Sequence, residues 1–204
     1  MKDTNTVHHV VILGCGRSGT SIFGELFEHL APYTYYSEPF FAELLEFDFP
    51  RPIAVKVNDW GHHPKPPDWR DWLERPLIER CAHHWNYINS LGYEKIRALA
   101  RVKHFEAMIQ SPRRFADTIC REVGLDIEAH VSALTEWADR VQNTNNEKFV
   151  EAKTSRYYSR DDHHNRIDRW KENLDRDEIK RVTSILQKTA KEFGYLLDHE
   201  QGTN

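Results

Sequence analysis

"VVILGCGRSGTS", residues 10–21, carries two phosphate-loop patterns at once. Gly14, Gly16 and Gly19 spell G-x-G-x-x-G, the dinucleotide fingerprint. Gly14, four further residues and then Gly19-Thr20-Ser21 spell a Walker A loop in which Thr20 stands at the lysine position. Both patterns use the same physics. A strand delivers the chain to a glycine-rich turn, a helix starts there, and backbone N–H groups at the positive helix end face an anion. The strand is the β-branched run "VHHVVILG" (7–14), and the helix shows in Ile22, Phe23, Leu26, Phe27 and Leu30 at helical spacing. Arg17, Ser18, Thr20 and Ser21 exceed what a tight connection needs, so the loop is expected to hold phosphate or sulfate.

Outward from the loop, strands and helices alternate. Pro32 ends the first helix, "YTYYS" (33–37) reads as a second strand closed by Glu38-Pro39, and "FFAELLEF" (40–47) as a short helix. "PIAVKV" (52–57) reads as a third strand. "NDWGHHPKPPDWRDW" (58–72) breaks the pattern with its prolines and tryptophans. A helix returns in "PLIERCAHHWNYINSLG" (76–92) through Leu77, Cys81, Trp85, Ile88 and Leu91. "ALARVKHF" (98–105) reads as a fourth strand. Ser111-Pro112 starts and Gly124 stops a helix, "EAHVSALTEWADRV" (128–141) is another, and Asp175 with Glu178 makes an acidic capping box for a last helix that stops at Gly194. "QNTNNEK" (142–148) and "TSRYYSRDDHHNR" (154–166) are polar loops. The expectation is an α/β fold: a small parallel sheet of about four strands, helices on both faces and a helical C-terminal half.

At 204 residues the chain is expected to be a single domain, 1–204, with room for a hydrophobic core. A formal net charge of −4 argues against non-specific nucleic-acid binding. No apolar run approaches a membrane span, and the first residues carry no signal-peptide pattern. Cys15, Cys81 and Cys120 are scattered, without C-x-x-C spacing, and read as free thiols of a reducing compartment. A cytoplasmic protein is the expectation. The adjacent histidine pairs at 8–9, 62–63, 83–84 and 163–164 diverge on any strand or helix, and H-E-x-x-H is absent, so no metal is expected.

"GRSGTS" after a hydrophobic strand resembles the phosphosulfate loop of the sulfotransferases that use 3′-phosphoadenosine 5′-phosphosulfate. "SEPF" (37–40) is similar to the segment where members place an acidic residue, and "AVKV" (54–57) to the strand that ends in a lysine near the sulfonate. "RVKHFEAMIQSPRRFADTICREVGLD" (101–126) and "RIDRWKENLDRDEIKRVTSILQKTAKEFGY" (166–195) resemble two later family segments, in family order. The resemblance implies a P-loop-like three-layer sandwich, a sulfuryl donor nucleotide that leaves as adenosine 3′,5′-bisphosphate, and transfer to a hydroxyl or amine on a small molecule, glycan or peptide. It implies donor binding by Arg17, Ser18, Gly19, Thr20 and Ser21, with Ser155 and Arg169 closing over the nucleotide. Lys56 would stabilise the leaving phosphate and Glu38 would act as base. One departure stands out: the segment that holds the 3′-phosphate is missing after the lysine strand.

Two other readings stay open on the residues. A non-catalytic relative would bind a nucleotide or a partner. A dinucleotide-binding protein would use Glu38, 19 residues after Gly19, on a ribose. Loss of a middle strand would also leave a sheet edge to be closed by the remaining strands or by another chain, a homo-oligomer among them.

Overall fold

In "VVIL" (Val10–Leu13) every side chain is apolar but only Ile12 is buried, so strand β1 shows one face to the core. The computed structural model describes residues 7–14, 19–37, 51–57, 66–143, 167, 174–195 and 197. Helix α1 is Thr20–Glu28, strand β2 Thr34–Ser37 and strand β3 Ile53–Val57. Five further helices follow: α2 Leu77–Ile96, α3 Phe105–Gln110, α4 Pro112–Val123, α5 Val131–Asn143 and α6 Arg176–Glu192. The expected helix at 40–47 and the loops at 144–166 lie outside the described residues. None of the described helices is long and apolar enough to cross a membrane.

The three strands form one parallel sheet in the order β1-β3-β2. In the register, Ile12 on β1 and Ser37 on β2 both face Lys56 on β3. The order bears on the opening motif. In dinucleotide-binding domains β1 lies beside β2; here β3 separates them.

The chain divides into two compact units. The first takes residues 1–59 and 104–167, and its core joins Ile12 and Ala54 of the sheet to Leu26, Phe27 and Leu30 after and within α1. Ile109 of α3, Phe115, Ile119 and Cys120 of α4, and Leu134 and Trp137 of α5 complete it. Helices α4 and α5 are built from the signals the sequence offers. Pro112 occupies the first turn of α4, where its missing N–H costs nothing. Gly124 turns left-handed at φ 82°, and Leu125 N–H reaches back to the Cys120 carbonyl at 2.8 Å. Leu134, Trp137, Ala138 and Val141 line one stripe of α5.

The second unit takes residues 60–103 and 168–204 and pairs α2 with α6. Glu79, buried at 9% exposure, accepts from Arg181 Nε at 2.8 Å and lies 3.7 Å from Arg75. Thr189 donates to Asn86, and Phe193 meets Trp85 and Tyr93 edge-on. Residue numbers rise together along both helices, so they run parallel. The Asp175 capping box forms as expected: Glu178 N–H donates to Asp175 Oδ1 at 2.7 Å and Asp175 N–H to Glu178 Oε2 at 3.0 Å.

The fourth strand expected over 98–105 does not form. Helix α2 runs through Gly92 to Ile96, and Leu99 and Ala100 close further turns onto the Ile96 carbonyl. Leucine, alanine, arginine and lysine favour helical turns over strands. With Leu99 87% exposed, no core drives the segment into the sheet. The described sheet therefore has three strands rather than about four.

Candidate functional site

The three strands are parallel, so their carboxyl ends lie at one edge of the sheet, where open α/β folds place ligands. Gly14 ends β1 there, and residues 15–18 of the glycine-rich turn, with Arg17 and Ser18, lie outside the described residues. Gly19 resumes the chain as the N-cap of α1, left-handed at φ 83°. Glycine brings no side-chain cap, and none is formed. Phe23 N–H closes the first helical bond onto the Gly19 carbonyl at 3.0 Å. The N–H groups ahead of it have no intrahelical acceptor, and the helix dipole makes this end electropositive.

Lys56 reaches this end from the neighbouring strand. Its side chain, 3% exposed, lies on the face of β3 that looks onto α1, and its Nζ donates to Ser21 Oγ at 2.9 Å. A buried ammonium is tolerated only where its N–H groups find acceptors. Ser21, in the first turn of α1, supplies one. The structure thus brings together two of the residues singled out from sequence, Ser21 and Lys56, with Gly19 and half-buried Thr20 on the same turn.

The turn is held from behind. A Cβ on Gly19 would overlap the Phe105 ring, with Cε2 at 2.7 Å, and would touch Met108. At Gly24 it would overlap the Tyr35 hydroxyl, so α1 lies close on β2. Trp137 Nε1 donates to the Ile22 carbonyl at 3.0 Å, and Arg140 lies 3.4 Å from Glu25, fixing α1 to α5. Phe105, Met108, Tyr35 and Trp137 are supporting residues that the motif did not reveal. Only the three-residue spacing of Phe105 and Met108 on one helix hinted that both meet the same neighbour.

Glu38 directly follows Ser37, whose backbone pairs opposite Lys56, but Glu38 lies outside the described residues, as do Ser155 and Arg169. Just ahead of β1, Ile53 N–H donates to His9 Nδ1 at 3.2 Å, and the His8 main-chain carbonyl accepts from the Tyr33 hydroxyl at 2.6 Å. In the second unit Trp72 stacks on His83, with centroids 5.2 Å apart, and donates to Asp68 at 3.1 Å. Burial first, then the Arg75 charge, lowers the His83 pKa below the usual imidazole value, while Asp68 and Glu79 oppose the shift. Trp60, His62 and His63 lie outside the described residues. Among the described residues no group of three or more His, Cys, Asp or Glu side chains is placed to hold a metal ion.

The chain matches no protein-family model, no curated protein and no solved structure.

Proposed function

We propose that this chain is a sulfotransferase that takes 3′-phosphoadenosine 5′-phosphosulfate as donor and a hydroxyl or amine as acceptor, within a P-loop-like sandwich. One observation carries the reading: the buried Lys56 ammonium sits 2.9 Å from Ser21 Oγ in the first turn of α1, the helix that follows the glycine-rich sequence. Thr20 removes the lysine a Walker A loop uses, and Lys56 brings a cation to the same turn from β3. The strand order argues against the dinucleotide alternative.

The chemistry follows from placement and charge. The sulfur–oxygen bond to the 5′-phosphate breaks, leaving its electron pair on the phosphate oxygen. Lys56 and the α1 N–H groups stabilise that oxygen. The acceptor oxygen or nitrogen forms the new bond to sulfur, and its proton passes to Glu38. Arg17, Ser18, Thr20 and Ser21 hold the 5′ end of the nucleotide, and Ser155 and Arg169 close over it.

Calorimetric titration with adenosine 3′,5′-bisphosphate tests this. Wild type binds it, and Arg17→Ala and Lys56→Met each weaken binding at least about tenfold, as expected for a lost charge-assisted contact. Glu38→Gln leaves binding intact and lowers turnover with a phenolic or carbohydrate acceptor. Absence of wild-type binding at millimolar nucleotide would sink the proposal, and binding of NAD in its place would restore the dinucleotide reading.

A further inference from the structure

The stretch Lys95–Lys103, "KIRALARVK", overlaps the expected fourth strand but enters no sheet. It closes α2 and continues as turns: Arg97 N–H reaches the Tyr93 carbonyl at 2.8 Å, and Leu99 N–H the Ile96 carbonyl at 2.8 Å. This geometry turns apolar groups outward. Leu99 is 87% exposed, Val102 40% and Ile96 36%. Lys95, Arg97 and Arg101 are exposed beside them, and Lys103 is half-buried.

Charge is concentrated here against the trend of the chain. From Glu94 to Lys103 there are four cations and one carboxylate, a net +3, whereas the other 24 cations and 31 carboxylates leave −7 elsewhere. Ile96 and Val102 each lie between two cations, and Leu99 has Arg97 and Arg101 two positions to either side, a combination that matches a surface anionic outside and hydrocarbon beneath. We propose that this turn docks the protein on an anionic membrane surface, with Leu99 entering the headgroup–acyl boundary and the exposed cations Lys95, Arg97 and Arg101 contacting lipid phosphates and carboxylates. A bilayer fits better than a folded acidic partner. A protein interface needs its anchors received in shaped pockets, while a bilayer deforms around a side chain as exposed as Leu99. The inference is independent of the phosphate-loop reading.

Co-sedimentation of the full chain with vesicles tests it, comparing pure phosphatidylcholine with the same lipid carrying 30% phosphatidylserine. The proposal expects at least about tenfold stronger partitioning onto the anionic vesicles, weakened severalfold as salt rises from about 0.05 to 0.2 M. Leu99→Asp should cut binding at least about fivefold, and Arg97→Glu with Arg101→Glu should abolish it. Circular dichroism melts of these surface variants should match wild type. Equal partitioning onto neutral and anionic vesicles would overturn the proposal. So would wild-type binding by Leu99→Asp, which would mark plain electrostatic adsorption. Preference for soluble polyglutamate over vesicles would overturn it in favour of an acidic protein partner.

Discussion

Gly19 meets two demands that only glycine satisfies together. Its φ of 83° is the left-handed region, and the Phe105 ring occupies the space a Cβ would need. Gly19→Ala should therefore destabilise the fold by about 2–4 kcal/mol, the sum of backbone strain and overpacking. The denaturant midpoint measures this. Phe105→Leu in the same background should recover part of the loss, because the two residues touch and their effects do not add. The sequence motif marked Gly19 for its turn; the demand from Phe105, 86 positions later, is visible only in the packed structure. Thiol chemistry is another residue-scale test. Burial, then the Asp117 charge, pushes the fully buried Cys120 thiol up to about 11, while Cys81 on α2 is exposed. In a Cys15→Ser background, the exposed Cys81 should react with a thiol reagent while the protein stays folded. Cys120 should react only as fast as the protein unfolds.

At the scale of elements, termini were legible and extents were not. Ser111-Pro112, Gly124, the Asp175–Glu178 box and Gly194 all mark real helix ends, because capping is settled by a few neighbouring atoms. Asp175→Ala should cost about 1 kcal/mol by removing the acceptor for Glu178 N–H. A chemical melt of the full chain checks it, and Asp175→Ser should restore most of the loss. Helix α2 outruns the expected stop at Gly92, since one helical glycine costs only about 1 kcal/mol and Tyr93 gains the Phe193 edge contact. The failed fourth strand has the converse cause. An apolar stretch between helices permits a strand, but only a partner strand and a surface to cover make one, and Leu99 has no such surface.

For the whole molecule, the two units should respond to opposite ends of the pH scale. In the first unit, burial and then the neighbouring Cys120 raise Tyr33 well above its ordinary phenol value, and Cys120 is raised as well. Raised folded pKa values favour the protonated forms. Their stabilisation is complete below about 9, the thiol's ordinary value, and is lost as pH climbs through about 11 and beyond. In the second unit the lowered His83 pKa favours the neutral ring. That stabilisation is complete above about 6.5 and is lost as pH falls through the depressed folded value. Melting temperatures should thus fall above pH 9 and as pH drops below about 6.5, and His83→Phe should flatten the acid limb alone. An unchanged acid limb in that variant would remove His83 as its source. The sequence by itself determined what depends on near neighbours: the α/β alternation, the strand–glycine–helix start of the chain, the helix caps, and Ser21 and Lys56 as residues to watch. Tertiary structure alone decided the strand order that separates β1 from β2, the number of described strands, and the meeting of Lys56 with Ser21. Those outcomes rest on contacts between residues far apart in the chain, which close only when the core forms. No local pattern encodes which strand ends beside which helix.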